Sequence, residues 1–485
     1  MNVQEWKEQI AGKKVAVFGI GISNKPLVPF LIKCGADVTV FDQTMPTDPS
    51  LAKYMTMLDE QNLHVTWSLG PNYEKPLFSE KFDYVFRSPK TKKENPAFVA
   101  QTEKGAILTS EMETFLEICP AKVFGITGSS GKTTTSTLVS LFLQEAGYRT
   151  YLGGNIGTPL LDKVDEMTER DMVVVELSSF QLRGAEKSCD ISVMTNIMMN
   201  HLDFHVTLDD YIKAKKNIYG YQDNTGVLVL NGNNHYTIEM KDDAKGKVRY
   251  FTWNKDDVLE DTRKNIDAHC FVEDKIIRCK HANGEIDDFI AIDDIALIGR
   301  HNVMNMMTAI LATLDYVTPS QVQKVAKSFG GVKHRIQFIR TVNNVTYINS
   351  SIDTSPDRAI TTLEALKESE MNGVIIIGGQ TKKCEYDGLG KAIAACCHDA
   401  ILVRINDKST IIDPVINILN NEVPGQVTTH EVNSFERAIA LASMLAKPGE
   451  MVVMSPVGTS YDAFKIFEDR GDLFINLVKN LPETI

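Results

Sequence analysis

The chain alternates between short apolar runs and longer stretches in which apolar residues recur at helical spacing. Continuous apolar runs are typical of strands buried on both faces, and strands that alternate with helices indicate a parallel sheet. Most of these runs are followed directly by a cluster of small and polar residues. The pattern predicts an α/β fold whose ligands bind beyond the carboxyl ends of the strands.

Three successive segments repeat this pattern, and a chain of 485 residues is too long for one core. We predict three domains: an N-terminal Rossmann-like domain over 1–118, a central P-loop ATPase-like domain with a parallel sheet over 119–330, and a C-terminal Rossmann-like domain over 331–485. Within the central domain, residues 240–290 are charged and alternating, which indicates an antiparallel or irregular edge. Residues 150–157 are predicted to form a turn-rich loop.

Residues 125–135, Gly-Ile-Thr-Gly-Ser-Ser-Gly-Lys-Thr-Thr-Thr, join an apolar strand to a helical pattern. Small residues followed by Lys132 and Thr133 place several backbone N–H groups and a helix N-terminus around one anion. Ile126 stands where the longer phosphate-loop motif has glycine, so the match is to the shorter form T-G-x-x-G-K-T. The alternative is a Gly/Ser turn before an ordinary helix, but Lys-Thr in the first helical turn favours a phosphate site.

The strand over 171–176 ends in Glu176 after a run of apolar residues. A carboxylate there is costly unless it is solvated, paired or bound to a metal. It is either a solvated strand end or a Mg²⁺ ligand opposite Thr133. His201 follows the next strand, where it is either a metal or substrate contact or an ordinary loop histidine.

The first segment contains a strand, a Gly-rich turn at Gly19 and Gly21, and a second strand that ends at Asp42. This is the spacing of a nucleotide-binding βαβ unit. Asn24 stands where a dinucleotide fingerprint has its third glycine. The domain is therefore predicted to bind a dinucleotide, or to be a Rossmann-like domain that holds a different nucleotide or only its pyrophosphate. Ser88 follows another strand at the same predicted edge.

Composition narrows the range of partners. The formal net charge is −12, which argues against a nucleic-acid partner bound by a general basic surface. The start of the chain has no apolar signal-like core, and no apolar run approaches the length of a membrane span. We therefore expect a cytoplasmic protein without a membrane partner. The eight cysteines form no C-x-x-C pair and are predicted to be reduced thiols rather than metal ligands.

An ordered set of motifs, reaching from Gly19 to Gly471, resembles the Mur ligase family. The set comprises T-G-x-x-G-K-T, G-G-N-I-G, E-L-S-S-F-Q, T-N-x-x-x-x-H, Y-x-x-A-K and L-x-G-x-H-N-x-x-N. The last segment is most similar to the D-glutamate-adding branch of the family. The resemblance implies an ATP- and Mg²⁺-dependent amide ligase that adds D-glutamate to UDP-N-acetylmuramoyl-L-alanine through an acyl phosphate, in peptidoglycan precursor synthesis. We expect it to act as a monomer.

The resemblance also implies roles for particular residues. ATP would be bound by Gly128, Ser129, Ser130, Gly131, Lys132, Thr133, Thr134, Asn302, Asn305 and Arg335. The UDP-linked substrate would be bound by Gly19, Gly21, Ser23, Asp42, Ser88 and Asn155, and D-glutamate by Thr354, Lys382, Ser460 and Phe467. Mg²⁺ would be held by Thr133, Glu176, His201 and a carbamate on Lys215. The catalytic residues would be Lys132, His201, Lys215 and Arg335.

Some positions depart from the family pattern. Ser350 stands where the family has the aspartate of Asn-Asp-Ser, and Asp353 is a candidate substitute. The other departures are Gln380, Asn200 and Lys90. They bear on amino-acid specificity and nucleotide affinity more than on the reaction class. Two alternatives stay open: another Mur or folylpolyglutamate-type ligase that uses a different amino acid, and a non-catalytic nucleotide-binding protein.

Overall fold

A computed structural model of the chain describes residues 1–198, 207–257, 266–297, 299–381 and 386–483, with the side chain of Glu368 left out. His201, Lys382 and Asn200 lie outside these ranges. The chain divides into two compact units, Met1–Ala291 with Asn305–Val325, and Ile292–Met304 with Ala326–Ile485. The three domain boundaries predicted from the sequence stay a prediction.

The first sheet, in the first unit, is wholly parallel and has the order β3-β2-β1-β4-β5. Its strands are β1 Lys14–Phe18, β2 Asp37–Asp42, β3 Thr66–Leu69, β4 Tyr84–Arg87 and β5 Ile107–Thr109. The helices of this segment are α1 Val3–Ile10, α2 Asn24–Lys33, α3 Pro49–Glu60, α4 Lys75–Ser79, α5 Pro96–Glu103 and α6 Glu111–Ile118. Strand order reverses at β1, which places a binding crevice beyond the ends of β1 and β4.

The second sheet has the order β14-β13-β12-β11-β10-β9-β6-β8-β7. Its strands are β6 Lys122–Thr127, β7 Thr150–Gly154, β8 Met172–Glu176, β9 Ile191–Met194, β10 Val227–Asn231, β11 Lys247–Asn254, β12 Ile266–Glu273, β13 Ile276–His281 and β14 Ile286–Ala291. The helices are α7 Lys132–Glu145, α8 Ser179–Leu182, α9 Leu208–Lys216, α10 His235–Ile238, α11 Arg300–Thr313 and α12 Pro319–Ser328. β6 lies between β8 and β9, so the ends of these three strands meet at one point of the sheet edge.

The third sheet, in the second unit, has the order β15-β16-β20-β17-β18-β19 and is parallel apart from the β15–β16 hairpin. Its strands are β15 Gln337–Val342, β16 Val345–Asn349, β17 Gly373–Gly378, β18 Cys397–Val403, β19 Thr428–Val432 and β20 Met451–Val457. The helices are α13 Pro356–Glu368, α14 Leu389–Cys396, α15 Ile412–Glu422, α16 Phe435–Leu445 and α17 Phe467–Lys479. The hairpin turns at Asn343 and Asn344, both at positive φ, a conformation that asparagine tolerates in such turns.

The predicted α/β class is confirmed, with two corrections in the central segment. The loop predicted over 150–157 begins as an edge strand, β7, which pairs in parallel with β8. Its two glycines concealed the strand, because glycine is rare inside strands. The predicted antiparallel edge starts only at β13, since β11 and β12 extend the parallel part of the sheet.

Apolar packing explains why these strands form. The central strands β6, β8, β9 and β10 are buried along nearly their whole length, as expected of parallel strands covered on both faces. Within the described ranges, no helix combines the length and apolar composition needed to cross a membrane.

A buried carboxylate joins α6 to the segment after β7. Glu111 Oε1 accepts the backbone N–H groups of Leu160 and Leu161 at 3.2 and 3.0 Å. Burial raises the pKa of Glu111 to about 7, although both hydrogen bonds oppose the rise. The proton is therefore bound more tightly in the folded chain than in the unfolded chain.

We predict that Glu111→Gln removes a pH-dependent loss of stability. The folded pKa of Glu111 is above its ordinary value of 4.5, so its contribution is fully present below pH 4.5 and is lost as the pH rises to 7. Relative to wild type, the variant should gain up to about 3 kcal/mol of unfolding free energy between pH 4.5 and 8. Denaturant unfolding at both pH values measures this. Glu117→Gln, at an exposed position of α6, should show no such gain; an equal gain in both variants would contradict the prediction.

Candidate active site

The loop between β6 and α7 has the backbone that its sequence predicts. Gly131 precedes the first residue of α7 in a left-handed conformation, with φ at 76°. A Cβ built on Gly131 would lie 2.4 Å from Asn305 Oδ1, so the approach of α11 also requires glycine there. Asn305 Oδ1 in turn accepts the hydroxyl of Thr135 at 3.4 Å. The loop and the N-terminus of α7 thus form a cradle of backbone donors.

The end of β9 holds this loop in place. Asn196 accepts the Ser129 N–H through its backbone carbonyl and the Ser130 N–H through its side chain, both at 2.9 Å. Its Nδ2 donates to Ser130 Oγ at 2.8 Å, and the hydroxyl of Thr195 donates to the Ser130 carbonyl at 2.6 Å. Asn196 belongs to the motif T-N-x-x-x-x-H, but no role was predicted for it from the sequence. The signal was available, because Asn196 belongs to a polar cluster that follows a buried strand.

Lys132 folds back over the loop. Its Nζ donates to the carbonyls of Gly128 at 3.0 Å and Ser129 at 3.1 Å. Thr134 follows Thr133 in the first turn of α7 and is half-buried. The ammonium group therefore lies at the loop that the backbone donors line, where it can exchange carbonyl oxygens for phosphate oxygens.

Glu176 links the phosphate loop to β7. The hydroxyl of Thr133 donates to Glu176 Oε2 at 2.8 Å, and Asn155 Nδ2 donates to Glu176 Oε1 at 2.8 Å. The backbone N–H of Asn155 also donates to the Glu176 carbonyl at 2.7 Å. Glu176 is 1% exposed and paired with Thr133 and Asn155, so it is not a solvated strand end, and its role as a Mg²⁺ ligand stays a prediction.

Lys215 is the other buried charged side chain at this edge. It lies on α9, is 1% exposed, and its Nζ donates to Thr127 Oγ1 at 3.0 Å and to the Gly128 carbonyl at 2.9 Å. Burial holds its pKa well below the ordinary lysine value; the positive charge of Lys132 adds to the shift and Glu176 opposes it. The amine is therefore far more readily neutral than a surface lysine, and a neutral amine is a nucleophile.

A second polar cluster lies beyond β1 and β4 of the first sheet. The carboxylate of Asp42 accepts the N–H groups of Ile20 at 2.7 Å and Thr44 at 2.8 Å. Asn24 is buried, and its Nδ2 donates to the carbonyls of Phe18 at 3.2 Å and Gly19 at 2.8 Å. Asn24 stands where a dinucleotide fingerprint has its third glycine, and its side chain fixes the Gly-rich turn.

The remaining residues expected around the first sheet lie at the same crevice. Gly21 is exposed in the turn, and Ser23 is half-buried directly before α2. Ser88 donates its N–H to the Phe18 carbonyl at 3.0 Å, which ties the end of β4 to the start of the turn. The structure thus brings together Gly19, Gly21, Ser23, Asp42 and Ser88.

A third polar cluster lies beyond β16, β17 and β20 in the second unit. The guanidinium of Arg470, 1% exposed, donates to the carbonyls of Ser351, Gly378 and Gly458 and to Ser351 Oγ at 3.0 to 3.1 Å. Burial lowers its pKa to about 10. Arg470, which sequence reasoning missed, fastens the ends of three strands to one another.

Three of the four residues expected to bind D-glutamate follow these strand ends. Thr354 comes after β16, Ser460 after β20, and Phe467 begins α17, where its carbonyl accepts the hydroxyl of Ser351 at 2.7 Å. Ser460 is 2% exposed. The fourth, Lys382, lies outside the described residues.

Asp353, the candidate substitute for the aspartate missing at position 350, is buried near the end of β16. Its Oδ2 accepts the hydroxyl of Ser455 at 2.7 Å, and Ser350 and Thr362 also donate to the carboxylate. Burial raises its pKa to about 6 in spite of these bonds. Its carboxylate is therefore buried and hydrogen-bonded within its own unit, and a part in nucleotide binding stays a prediction.

The other predicted nucleotide contacts belong to α11 and the second unit. Asn302 is buried in the first turn of α11, and its N–H donates to the Gly299 carbonyl at 2.9 Å. Arg335 precedes β15, and its N–H donates to the Val332 carbonyl at 3.0 Å. The contributions of Asn302, Arg335 and His201 to ATP or metal binding stay predictions, His201 because it lies outside the described residues.

Two family models match successive parts of the chain. Residues 126–313 match the model of the Mur ligase middle domain, and residues 334–458 match that of the Mur ligase glutamate ligase domain. Together these matches cover more than half of the chain and include the phosphate loop, Glu176, Lys215 and Thr354.

Curated relatives match along the full length. The chain is 40% identical to the UDP-N-acetylmuramoylalanine–D-glutamate ligases of Ruminiclostridium cellulolyticum, over 481 residues, and Acetivibrio thermocellus, over 485 residues, with 99% of each chain covered. Among solved structures, the UDP-N-acetylmuramate-alanine ligase of Thermotoga maritima matches 96% of this chain and 99% of its own with a TM-score of 0.53 and 17% identity. A UDP-N-acetylmuramoyl-L-alanyl-D-glutamate–2,6-diaminopimelate ligase matches with a TM-score of 0.54 and 16% identity, covering 92% of this chain and 93% of its own. At such identities the two structures show the shared fold alone.

The family and the ligase class predicted from the motifs are confirmed, and family membership supports the predicted use of ATP. With two family models matched in order and relatives aligned over 99% of its length, this chain belongs to the Mur ligase family, among the UDP-N-acetylmuramoylalanine–D-glutamate ligases.

Proposed function

We propose that this chain catalyses the ATP-dependent addition of D-glutamate to UDP-N-acetylmuramoyl-L-alanine. The observation that carries the proposal is the position of Glu176, whose two carboxylate oxygens bond Thr133 of the phosphate loop and Asn155 of the substrate-side loop. The Glu176 carboxylate thus holds Thr133, which is expected to bind the nucleotide, close to Asn155, which is expected to contact the UDP-linked substrate. Transfer of a phosphoryl group to a carboxylate requires this proximity.

The first step transfers the γ-phosphoryl group of ATP to the terminal carboxylate of the acceptor. A carboxylate oxygen bonds to phosphorus, the bond to the β-phosphate oxygen breaks, and ADP and an acyl phosphate result. Residues 128–134 orient the phosphates through the backbone N–H groups that Asn196 does not hold, and the Lys132 ammonium stabilises the charge on the β and γ oxygens. Arg335 is assigned to the transferred group, Asn302 and Asn305 to the nucleotide.

The second step forms the amide. The neutral amine of D-glutamate attacks the acyl carbon, the carbon–oxygen bond to phosphate breaks, inorganic phosphate leaves and the amine loses a proton. Thr354, Ser460, Phe467 and Lys382 are assigned to D-glutamate, whose two carboxylates suit hydroxyl and ammonium donors.

The described residues fit a Mg²⁺ ion. The hydroxyl oxygen of Thr133 lies 2.8 Å from the carboxylate oxygen Oε2 of Glu176. Both groups offer oxygen atoms, which are the ligands that Mg²⁺ prefers. When bound, Mg²⁺ supplies positive charge to the phosphate oxygens. His201 is assigned as a further ligand.

Lys215 is assigned as a carbamate. Its neutral amine would bond to the carbon of CO₂ and release one proton, which converts a potential cation into an anion beside Lys132. The low pKa of Lys215 supports this assignment, because only the neutral amine reacts. The resulting carboxylate-like group suits Mg²⁺, which a bare ammonium would repel.

The reaction itself can be tested by its dependence on both substrates. Purified protein with ATP and Mg²⁺ should release inorganic phosphate only when both UDP-N-acetylmuramoyl-L-alanine and D-glutamate are present. L-glutamate, glycine and diaminopimelate serve as controls for the amino acid. Phosphate release with one of these instead of D-glutamate would favour a ligase of different specificity, and no release with any amino acid would leave only the non-catalytic nucleotide-binding alternative.

A second prediction tests Glu176. Glu176→Gln keeps the shape of the side chain and removes the negative charge, so kcat should fall by about 100-fold or more while the unfolding midpoint changes little. Phosphate release and thermal unfolding measure the two effects. Glu166→Gln, at a largely exposed carboxylate, is the matched control and should keep wild-type kcat. A Glu176→Gln variant within twofold of wild type would refute the role.

A third prediction tests the carbamate. Protein equilibrated with ¹³C-bicarbonate should show one carbamate carbon by NMR, and acidification through the lowered pKa of Lys215 should remove it, because protonation withdraws the reactive amine. Lys215→Arg should lack both the signal and activity. Lys216→Arg, next in the chain and paired with Asp243, should keep both. A signal that persists in Lys215→Arg would assign the carbamate to another lysine.

A further inference from the structure

Arg87, the last residue of β4, is a buried cation that the proposed reaction does not use. It is 2% exposed, and its NH2 nitrogen pairs with Glu113 Oε1 at 2.9 Å. Its NH1 nitrogen donates to the carbonyls of Pro89 and Thr91, each at 3.4 Å. One guanidinium thus contacts α6 and the turn that directly follows β4.

This turn carries Ser88, a residue expected to contact the UDP-linked substrate. Within the turn, the Thr91 N–H donates to the Ser88 carbonyl at 3.0 Å, and the two hydroxyls lie 2.8 Å apart. The Ser88 N–H anchors the start of the turn on the Phe18 carbonyl, directly before the Gly-rich turn. Arg87 holds the other side of the turn through its carbonyls.

The same ion cluster also contacts the segment that follows α8. Lys93 Nζ lies 3.6 Å from Glu113 Oε1 and donates to the Gly184 carbonyl at 3.0 Å. A Cβ built on Gly184 would lie 1.9 Å from Glu113 Oε1 and 2.5 Å from the Arg87 NH2 nitrogen, so only glycine allows this approach. Gly184 comes shortly after α8, the helix that follows Glu176. The cluster therefore connects the substrate turn of the first sheet with the segment that follows the Glu176 strand.

The cluster is poorly suited to a purely stabilising role. Within the described ranges, Arg87 Nε and Glu113 Oε2 are buried without a hydrogen-bond partner. Removing two charges from water is costly, and a buried ion pair with unsatisfied groups is often less stable than apolar residues of similar volume. The pair instead provides a fixed arrangement of its neighbours, because the planar guanidinium holds the Glu113 carboxylate and two carbonyls of the turn at the same time.

We propose that Arg87, with Glu113 as its partner, is a positioning residue that holds the Ser88–Thr91 turn for the UDP-linked substrate and relates it to the segment after Glu176. The inference rests on the proposed function. Arg87 acts through the turn and does not contact the reacting atoms.

The experiment uses the full chain and three variants: Arg87→Met, Glu113→Leu and the double variant. Glu113→Leu leaves the buried Arg87 without its counter-charge, and Arg87→Met leaves Glu113 with Lys93 alone. Both should therefore lower the unfolding midpoint, and the double variant should recover most of the loss. The KM for UDP-N-acetylmuramoyl-L-alanine should nevertheless stay raised about tenfold in the double variant, with the KM for ATP within about twofold of wild type. A merely structural role predicts that KM recovers together with stability, and that outcome would overturn the proposal.

Arg249→Met is the matched control, because Arg249 is a fully buried arginine of the same unit. It lies on β11 and pairs with Asp267 of β12 and with Asp315, which follows α11. The Arg249→Met change should lower stability without a selective change in the KM for the UDP-linked substrate. If Arg249→Met raised the KM for the UDP-linked substrate as selectively as the double variant does, that result would also overturn the proposal.

Amide hydrogen exchange gives a readout that does not depend on turnover. The amides of 88–95 should exchange faster in the double variant than in wild type, while those of β1 keep their protection. If wild type shows no ligase activity, the proposed function fails and exchange still decides whether Arg87 holds the turn. Unchanged exchange at 88–95 would overturn the inference even in an active enzyme.

Discussion

The carboxylate of Glu176 is the group around which the central site is built. It ends a strand whose other residues are apolar, and at 1% exposure it cannot be hydrated as a surface carboxylate is. Its two oxygens are instead satisfied by Thr133 and Asn155, so the carboxylate fixes the spacing between the first turn of α7 and the end of β7. The parallel order β9-β6-β8-β7 brings these groups together, because it places the ends of four strands side by side.

Positive charge at this edge is distributed unevenly. Lys132 is half-buried on the loop that backbone donors line, whereas Lys215 is almost fully buried and loses its proton more easily because Lys132 lies near it. Two lysines close together thus differ in how readily they lose a proton, because burial, with the nearby charge of Lys132, holds the pKa of Lys215 well below the ordinary lysine value. This division follows from burial and mutual repulsion, and it needs no difference in residue type.

Much of this was predictable from the sequence. The apolar runs and the polar residues after them predict the strands and the edge where ligands bind, and the motif T-G-x-x-G-K-T places Lys132 and Thr133 on α7. Lys215 was different, since its helix pattern suggests only a solvated face and the family resemblance alone singled it out. Its burial depends on α9 packing beside Thr127 and Gly128, which are distant in sequence. Arg470 went unnoticed for the same reason: its partners are mostly backbone carbonyls of other segments, which local sequence patterns do not reveal.

The departure at position 350 places a hydroxyl beside a buried carboxylate, that of Asp353. Asp353 lies three residues further on, and it receives hydroxyls from Ser350, Thr362 and Ser455 of β20. The serine at 350 is therefore a donor to a carboxylate that burial alone would strongly disfavour. Arg470 lies at the same strand ends, and its charge favours the ionised form of nearby acids. The aspartate expected at 350 would place a second carboxylate beside Asp353, with one hydroxyl donor fewer. In this chain, serine at 350 and aspartate at 353 are thus physically linked, because the hydroxyl at 350 stabilises the carboxylate at 353, and the substitution of Asp353 for the missing aspartate stays a prediction.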